Sequence, residues 1–116
     1  MKAEGINPMP MVLEGITVLE LATGQQGPVV GAMLADMGAD VIKIEDKDAG
    51  DPGRAIKTNL PGKKPFPLSY FFENNNRNKK GIAIDYTASR GRSVIRQLIR
   101  SSDIFLSNFS LPKLKE

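Results

Sequence analysis

Apolar residues along this chain gather into four short runs, separated by stretches with helical or irregular spacing. Gly15-Ile16-Thr17-Val18-Leu19-Glu20-Leu21-Ala22 is dense in β-branched and aliphatic side chains, which predicts a buried strand. The glycine-bearing turn Thr23–Gly27 follows, and Pro28 opens a helix where a missing N–H costs nothing. That helix runs to about Met37, with Val29, Met33 and Met37 at helical spacing and Gly31, Ala32 and Ala35 small enough to lie close on a sheet. Gly38 is its expected stop. Asp40–Glu45 is the second strand. Asp46–Leu68, rich in glycine, proline and cations, reads as a long loop of the kind that is usually functional or mobile. Leu68–Phe72 has the pattern of a short helix, and it leads into the polar run Glu73–Lys80. Gly81–Tyr86 is the third strand, with Thr87 as a helix N-cap. The helix near 88–101 carries Val94, Ile95, Leu98 and Ile99 on one face and Arg92, Arg96 and Arg100 on another. Asp103–Ser107 is the fourth strand, and Asn108–Glu116 is a loop or the start of a helix.

A strand, a helix and a second strand within about 30 residues make a βαβ unit, which forces a parallel pair. The expected fold is therefore α/β: a doubly wound, Rossmann-like parallel sheet with flanking helices. Residues 16–21, 40–45 and 81–85 are expected as neighbouring strands. Residues 1–12 are expected to form an arm, and 13–116 a Rossmann-like domain.

Composition narrows the chemistry. Hydrophobic residues are 41% and charged residues 25%, ordinary values for a globular protein. The absence of cysteine and histidine removes disulfides, thiolate nucleophiles, His-ligated metals and Ser-His-Asp arrangements. No metal site is expected. No apolar run approaches the about 18 residues that span a membrane, and the start lacks a leader pattern, which predicts a cytoplasmic protein. A net charge of +3, with basic and acidic residues intermixed, speaks against a nucleic-acid partner.

In an open parallel sheet, ligands bind beyond the carboxyl ends of the strands. Those ends are Gly24–Gly27, Glu45–Lys47, Asp85–Thr87 and Asn108–Ser110. The first loop lacks the G-x-G-x-x-G spacing of dinucleotide binders. For the Asn74–Lys80 run two alternatives stand: a solvated loop, or a loop whose amides are spent locally to hold the entry to the third strand. The arginine stripe reads as a solvated helix face. Asp36, Asp40, Glu45 and Asp85 form no catalytic pair by spacing, Asp36 and Asp40 being expected at a helix end and a turn.

Six segments in register resemble the class III CoA-transferase (CaiB/BaiF) family, which includes formyl-CoA and carnitine CoA-transferases and α-methylacyl-CoA racemases. They are Leu13–Leu21, Gly27-Pro28, Leu34–Glu45, Asn76-Arg77-Asn78-Lys79-Lys80, Ile84-Asp85 and Ser107-Asn108-Phe109. The resemblance implies that residues 13–116 are the N-terminal part of a domain that binds coenzyme A, free or as acyl-CoA, with Gln25, Ile84, Asn108, Phe109 and Ser110 along the ADP and pantetheine portion. It also implies that the family's nucleophilic aspartate falls beyond residue 116, so no catalytic residue is expected in this chain and the chain alone is expected to be inactive. Interlocked family dimers imply self-association. Three positions depart from the family's cations: Asp46, Thr87 and Glu116, with Lys47, Lys79 or Lys80 as candidate replacements. A racemase-like relative, a non-catalytic nucleotide- or CoA-binding module and a Rossmann-like domain with an unrelated ligand remain as alternatives.

Overall fold

The computed structural model describes residues 9–57 and 67–115. Four parallel strands form one sheet: β1 (Thr17–Leu21), β2 (Asp40–Asp46), β3 (Lys80–Ile84) and β4 (Ile104–Ser107). The order across the sheet is β3-β2-β1-β4, so the three strands expected as neighbours are adjacent and parallel. The helices are α1 (Gln26–Asp36), α2 (Tyr70–Asn76), α3 (Ser89–Arg100) and the short α4 (Leu111–Lys115); a 3₁₀ turn spans Pro52–Ala55.

Strand alternation sorts the core into two layers. Val18 pairs with Val41 and Leu19 with Ile42, so paired residues share a face. On one face Val18 and Val41 pack with Ala35 near the end of α1 and Ala39 of the turn after it. On the other, Leu19, Leu21, Ile44 and Ile84 pack with Ile95 of α3. Helices thus cover both faces, which is why strands β1 and β2 read as near-continuous apolar runs.

Glycines allow the close approaches. A Cβ on Gly27 would lie 2.4 Å from that of Ala22, and a Cβ on Gly91 would lie 1.8 Å from the Asp85 carbonyl oxygen. Gly38 stops α1 at φ 101°, against the Met11 side chain.

Boundaries differ from the sequence expectation in several places, and β3 spans Lys80–Ile84 where the sequence predicts Gly81–Tyr86. Helix α1 begins at Gln26, so Pro28 is its third residue, still within the first turn whose N–H groups have no helical partner. Helix α2 extends through Asn76, absorbing half of the polar run. Ala88, not Thr87, is the N-cap of α3. Asp85 instead turns the chain ahead of α3, its Oδ1 accepting from the Thr87 and Ala88 N–H groups (3.0 and 3.2 Å) and from the Thr87 hydroxyl (2.6 Å), while α3 itself has no side-chain cap. The expected long loop is described to residue 57 and from residue 67; its part containing Pro61, Gly62 and Pro65 lies outside the described residues.

Candidate functional site

Chain direction out of the sheet reverses between β1 and β4. The β1 crossover leads by α1 to β2 on one side, while β4 lies on the other. Such a reversal opens a crevice at the carboxyl ends of the two strands, where open α/β sheets take their ligands. Gln25 stands on one lip and Asn108, Phe109 and Ser110 on the other.

The two lips are tied together by one side chain. Asn108 Oδ1 accepts from the Thr23 N–H (3.1 Å), and Asn108 Nδ2 donates to the Thr23 carbonyl (2.8 Å), extending the strand pairing by an amide that imitates backbone. Ser107 adds a hydroxyl bond to the Leu21 carbonyl (2.7 Å) and accepts from the Phe109 N–H (3.1 Å). Asn108 therefore builds the crevice, and its amide is committed to Thr23. Gln25 and Ser110 are exposed at the rim. Ile84 is 7% exposed and belongs to the core with Leu19, Leu21, Ile44 and Ile95, so its side chain supports the site by packing.

Strands β3 and β4 lie at opposite edges of the sheet, three strand spacings or about 14 Å apart. Tyr86 and Phe109 bridge that span above the sheet in an edge-to-face contact with ring centroids 6.3 Å apart, and the Lys113 ammonium sits 4.4 Å from the Phe109 centroid. Beside them a cleft of about 300 Å³ is lined by the apolar Leu21, Ile95 and Phe105 and by the cations Arg92, Arg96 and Lys113. Arg92 donates to the Thr87 carbonyl. The arginine stripe is thus divided: Arg96 and Arg100 are exposed, as a solvated face requires, while Arg92 is half-buried and, with Arg96, borders the cleft. A second cleft, of about 480 Å³, lies off β3 among Glu45–Gly50, Arg54 and Gly81–Ala83, away from the reversal.

Among the three candidate replacement lysines, only Lys47 stands at the strand carboxyl ends, paired with Asp48 (2.5 Å) and 3.9 Å from Asp85. Lys80 pairs with Asp40 (2.8 Å) at the opposite ends of the strands. Lys79 is buried. Asp46 is spent on its own turn, its Oδ1 accepting from the Asp48 and Ala49 N–H groups (2.9 and 2.7 Å), and these bonds lower its pKa.

Of the Asn74–Lys80 run, Asn74–Asn76 close α2, and the side chains of Arg77 to Lys79 are spent on protein groups at the entry to β3. Arg77 and Asn78 both bind Asp36 at the end of α1 (2.6 Å each at their closest), which holds the Asp36 carboxyl below its ordinary range. Asn78 turns the chain at φ 60°, a conformation asparagine tolerates. Asn76 donates to the Phe72 carbonyl.

Beneath the first lip lies a cluster that spacing along the sequence does not reveal. Glu20 and Lys43 face each other on the α1 side of the sheet, and both are almost fully buried, as is Asp51. Lys43 Nζ lies 3.1 Å from Glu20 Oε1 and 2.9 Å from Asp51 Oδ2, and Lys79 Nζ lies 2.7 Å from Glu20 Oε2. The contacts to Glu20 Oε2 and Asp51 Oδ2 are ion pairs whose angles fall short of hydrogen bonds. Two cations and two carboxylates thus cancel within one pocket. Burial pushes the Asp51 carboxyl up, but Lys43 and the N–H groups of Gly53 and Gly24 outweigh it and hold it below its ordinary value. Burial lowers the Lys79 pKa despite the Glu20 carboxylate.

Residues 13–116 match the family model described as CoA-transferase family III. The chain belongs to that family. Its relatives include the succinate–glutarate CoA-transferase of Agrobacterium fabrum, 41% identical over 84% of this chain and 25% of that protein. The mouse succinyl-CoA:glutarate CoA-transferase is 36% identical over 90% of this chain and 23% of its own length. Among solved structures, a CaiB/BaiF family protein from Brucella suis superposes with a TM-score of 0.78 at 35% identity, covering 91% of this chain and 28% of that one. The chain spans about a quarter of the length of the curated relatives it matches. The α/β fold and the family resemblance expected from the sequence are both borne out.

Among the described residues no group of His, Cys, Asp and Glu is placed to hold a metal ion. No helix among the described residues is long and apolar enough to cross a membrane.

Proposed function

We propose that residues 13–116 form the N-terminal, coenzyme A-binding part of a family III CoA-transferase, one that moves CoA between an acyl-CoA and a carboxylic acid. The observation that carries this reading is the crevice at the β1/β4 reversal, tied shut at its base by Asn108 and Thr23. Its lips present Gln25 and Ser110, its side wall Phe109 and Tyr86, and the adjoining cleft offers Arg92, Arg96 and Lys113 to an anion. A flat base and a string of phosphates match this mixture of aromatic surface and cations. The Rossmann-like order of the strands agrees with it. A cytoplasmic enzyme working as a self-associated chain is part of the same proposal.

Amide chemical-shift mapping with CoA tests it. The expected shifts fall on Gln25, Tyr86 and Asn108–Ser110. Shifts confined to the outer face of α3 around Arg100, or none at millimolar CoA, overturn it.

A further inference from the structure

The buried cluster does more than fill the space under α1, because three of its groups grip the backbone of the loop that leads to Gln25. Lys43 Nζ donates to the Ala22 carbonyl (2.7 Å). The Gly24 N–H donates to Asp51 Oδ1 (3.1 Å), which also accepts from the Gly53 N–H (2.8 Å). Lys79 Nζ donates to the Pro28 carbonyl (2.7 Å) and to the Asn75 carbonyl (2.9 Å). The segment 22–28 is therefore held at its start, middle and end. Its three holders come from β2, from the turn after β2 and from the residue before β3.

Gly24 has φ 75°, so its N–H is aimed by a backbone conformation that glycine adopts without cost. Asp51 is in turn fixed from behind, since its own N–H donates to Glu45 Oε2 (3.1 Å) and Glu45 is clamped by Arg54 with two bonds of 2.8 Å. Arg54 lies 3.7 Å above the Phe72 ring centroid. Helix α1 cannot drift away from the cluster without breaking the Lys79 bond, nor move closer, because Gly31 already leaves no room for a Cβ beside Glu20.

We infer that Asp51, Lys43 and Lys79 are positioning residues for the ligand loop: a charge-balanced brace that presets the Gly24–Gln25 backbone before CoA arrives. The inference rests on the CoA-binding reading for its consequence, but the brace itself is visible without ligand. A preset loop binds without the cost of ordering it, and the bonds from Lys43, Asp51 and Lys79 to the backbone of segment 22–28 give the stiffness such presetting needs.

Asp51→Ala and Asp51→Asn separate positioning from mere stability. Both remove the charge opposite Lys43, so both lower the unfolding midpoint. Only asparagine keeps an oxygen for the Gly24 and Gly53 N–H groups. The expected result is that Asp51→Ala shifts the Gly24 and Gln25 amide resonances without ligand and weakens CoA binding about tenfold. Asp51→Asn is expected to restore both while its midpoint stays low. Should Asp51→Ala not fold, Lys79→Met tests the same claim from the helix end, with amide shifts expected at Val29, whose N–H shares the peptide unit of the Pro28 carbonyl, and at Gln25. Affinity that follows stability alike in the alanine and asparagine variants overturns the inference, as do unmoved Gly24 and Gln25 amides. Wild-type chain that binds no CoA overturns the CoA-binding reading alone, because the ligand-free amide shifts still report on the brace.

Discussion

A single methyl group tests how tightly the buried charges are held. A Cβ added at Gly31 would fall 1.9 Å from Glu20 Oε2 and 3.1 Å from the Lys79 side chain. Glu20 cannot yield, because its two oxygens face Lys43 and Lys79 and the residue is fully buried. Gly31→Ala is therefore expected to destabilise the chain by about 2–3 kcal/mol through overpacking, although alanine is the better helix former. Thermal unfolding of the two forms checks it; an alanine variant as stable as the parent shows that α1 is free to shift. Removing one charge alone is expected to cost more. Glu20→Gln leaves Lys79 against a neutral partner in a buried site, while Lys43 keeps Asp51 (2.9 Å), and breaking such a pair costs about 3–5 kcal/mol.

At the scale of elements, the turn after β2 and the start of α2 depend on each other. Ser69 caps α2 by accepting from the Phe72 N–H (3.1 Å), and its hydroxyl lies 2.8 Å from the Gly53 carbonyl of the 3₁₀ turn. Ser69→Ala is expected to cost about 1 kcal/mol from the cap, and the Gly53 carbonyl is left with the Ile56 N–H (3.2 Å) as its remaining donor. Arg54 and Glu45 supply the pH dependence of the same unit. The Arg54 bonds hold the Glu45 carboxyl below its ordinary value. A carboxylate depressed in the folded state contributes stability that is present above its unfolded pKa and is lost as pH falls through the folded one. Stability is thus expected to fall on acidification below about pH 4.3, and Glu45→Gln is expected to flatten that part of the profile. Unfolding midpoints measured from neutral to acid pH in both forms decide it; parallel profiles sink the assignment.

The strands and the helices α1 and α3 were legible in the chain because alternation and helical spacing are local signals. Gly27-Pro28 and the Asn-Arg-Asn-Lys-Lys run were visible as oddities, but their purpose depends on contacts some 40 residues away, such as Arg77 and Asn78 with Asp36. Gln25 and Asn108–Ser110 follow the carboxyl ends of the neighbouring strands β1 and β4. The brace was not legible, yet one cue was present: Glu20 and Lys43 are charges in the middle of otherwise apolar strands. A charge at a buried register position must have a partner, and the pairing of Glu20 with Lys43 across β1 and β2 supplies it. Asp51 and Lys79 could not be joined to them from spacing, since a turn and a helix separate them along the chain.

For the whole molecule, the sheet ends in two open edges, β3 and β4. The β4 edge is the more exposed apolar surface. Ile104 and Phe105 are 41% and 37% exposed, and Val94, Ile99 and Leu114 lie exposed on the neighbouring helices. An unpaired edge with apolar side chains is a template for association. The β3 edge is protected at its start by Lys80, whose ammonium stands over Asp40. Association is therefore expected to run through β4. Sedimentation velocity across a range of concentrations is expected to show a reversible shift toward larger species. Phe105→Lys places a charge in the middle of the β4 edge and is expected to move that shift to higher concentration. Because Phe105 also lines the cleft beside Tyr86, CoA binding is expected to weaken in the same variant, whereas Ile104→Lys, outside that cleft, is expected to reduce association alone. A chain that stays monomeric throughout, or associates equally well with a lysine at either position, shows that β4 is not the associating edge.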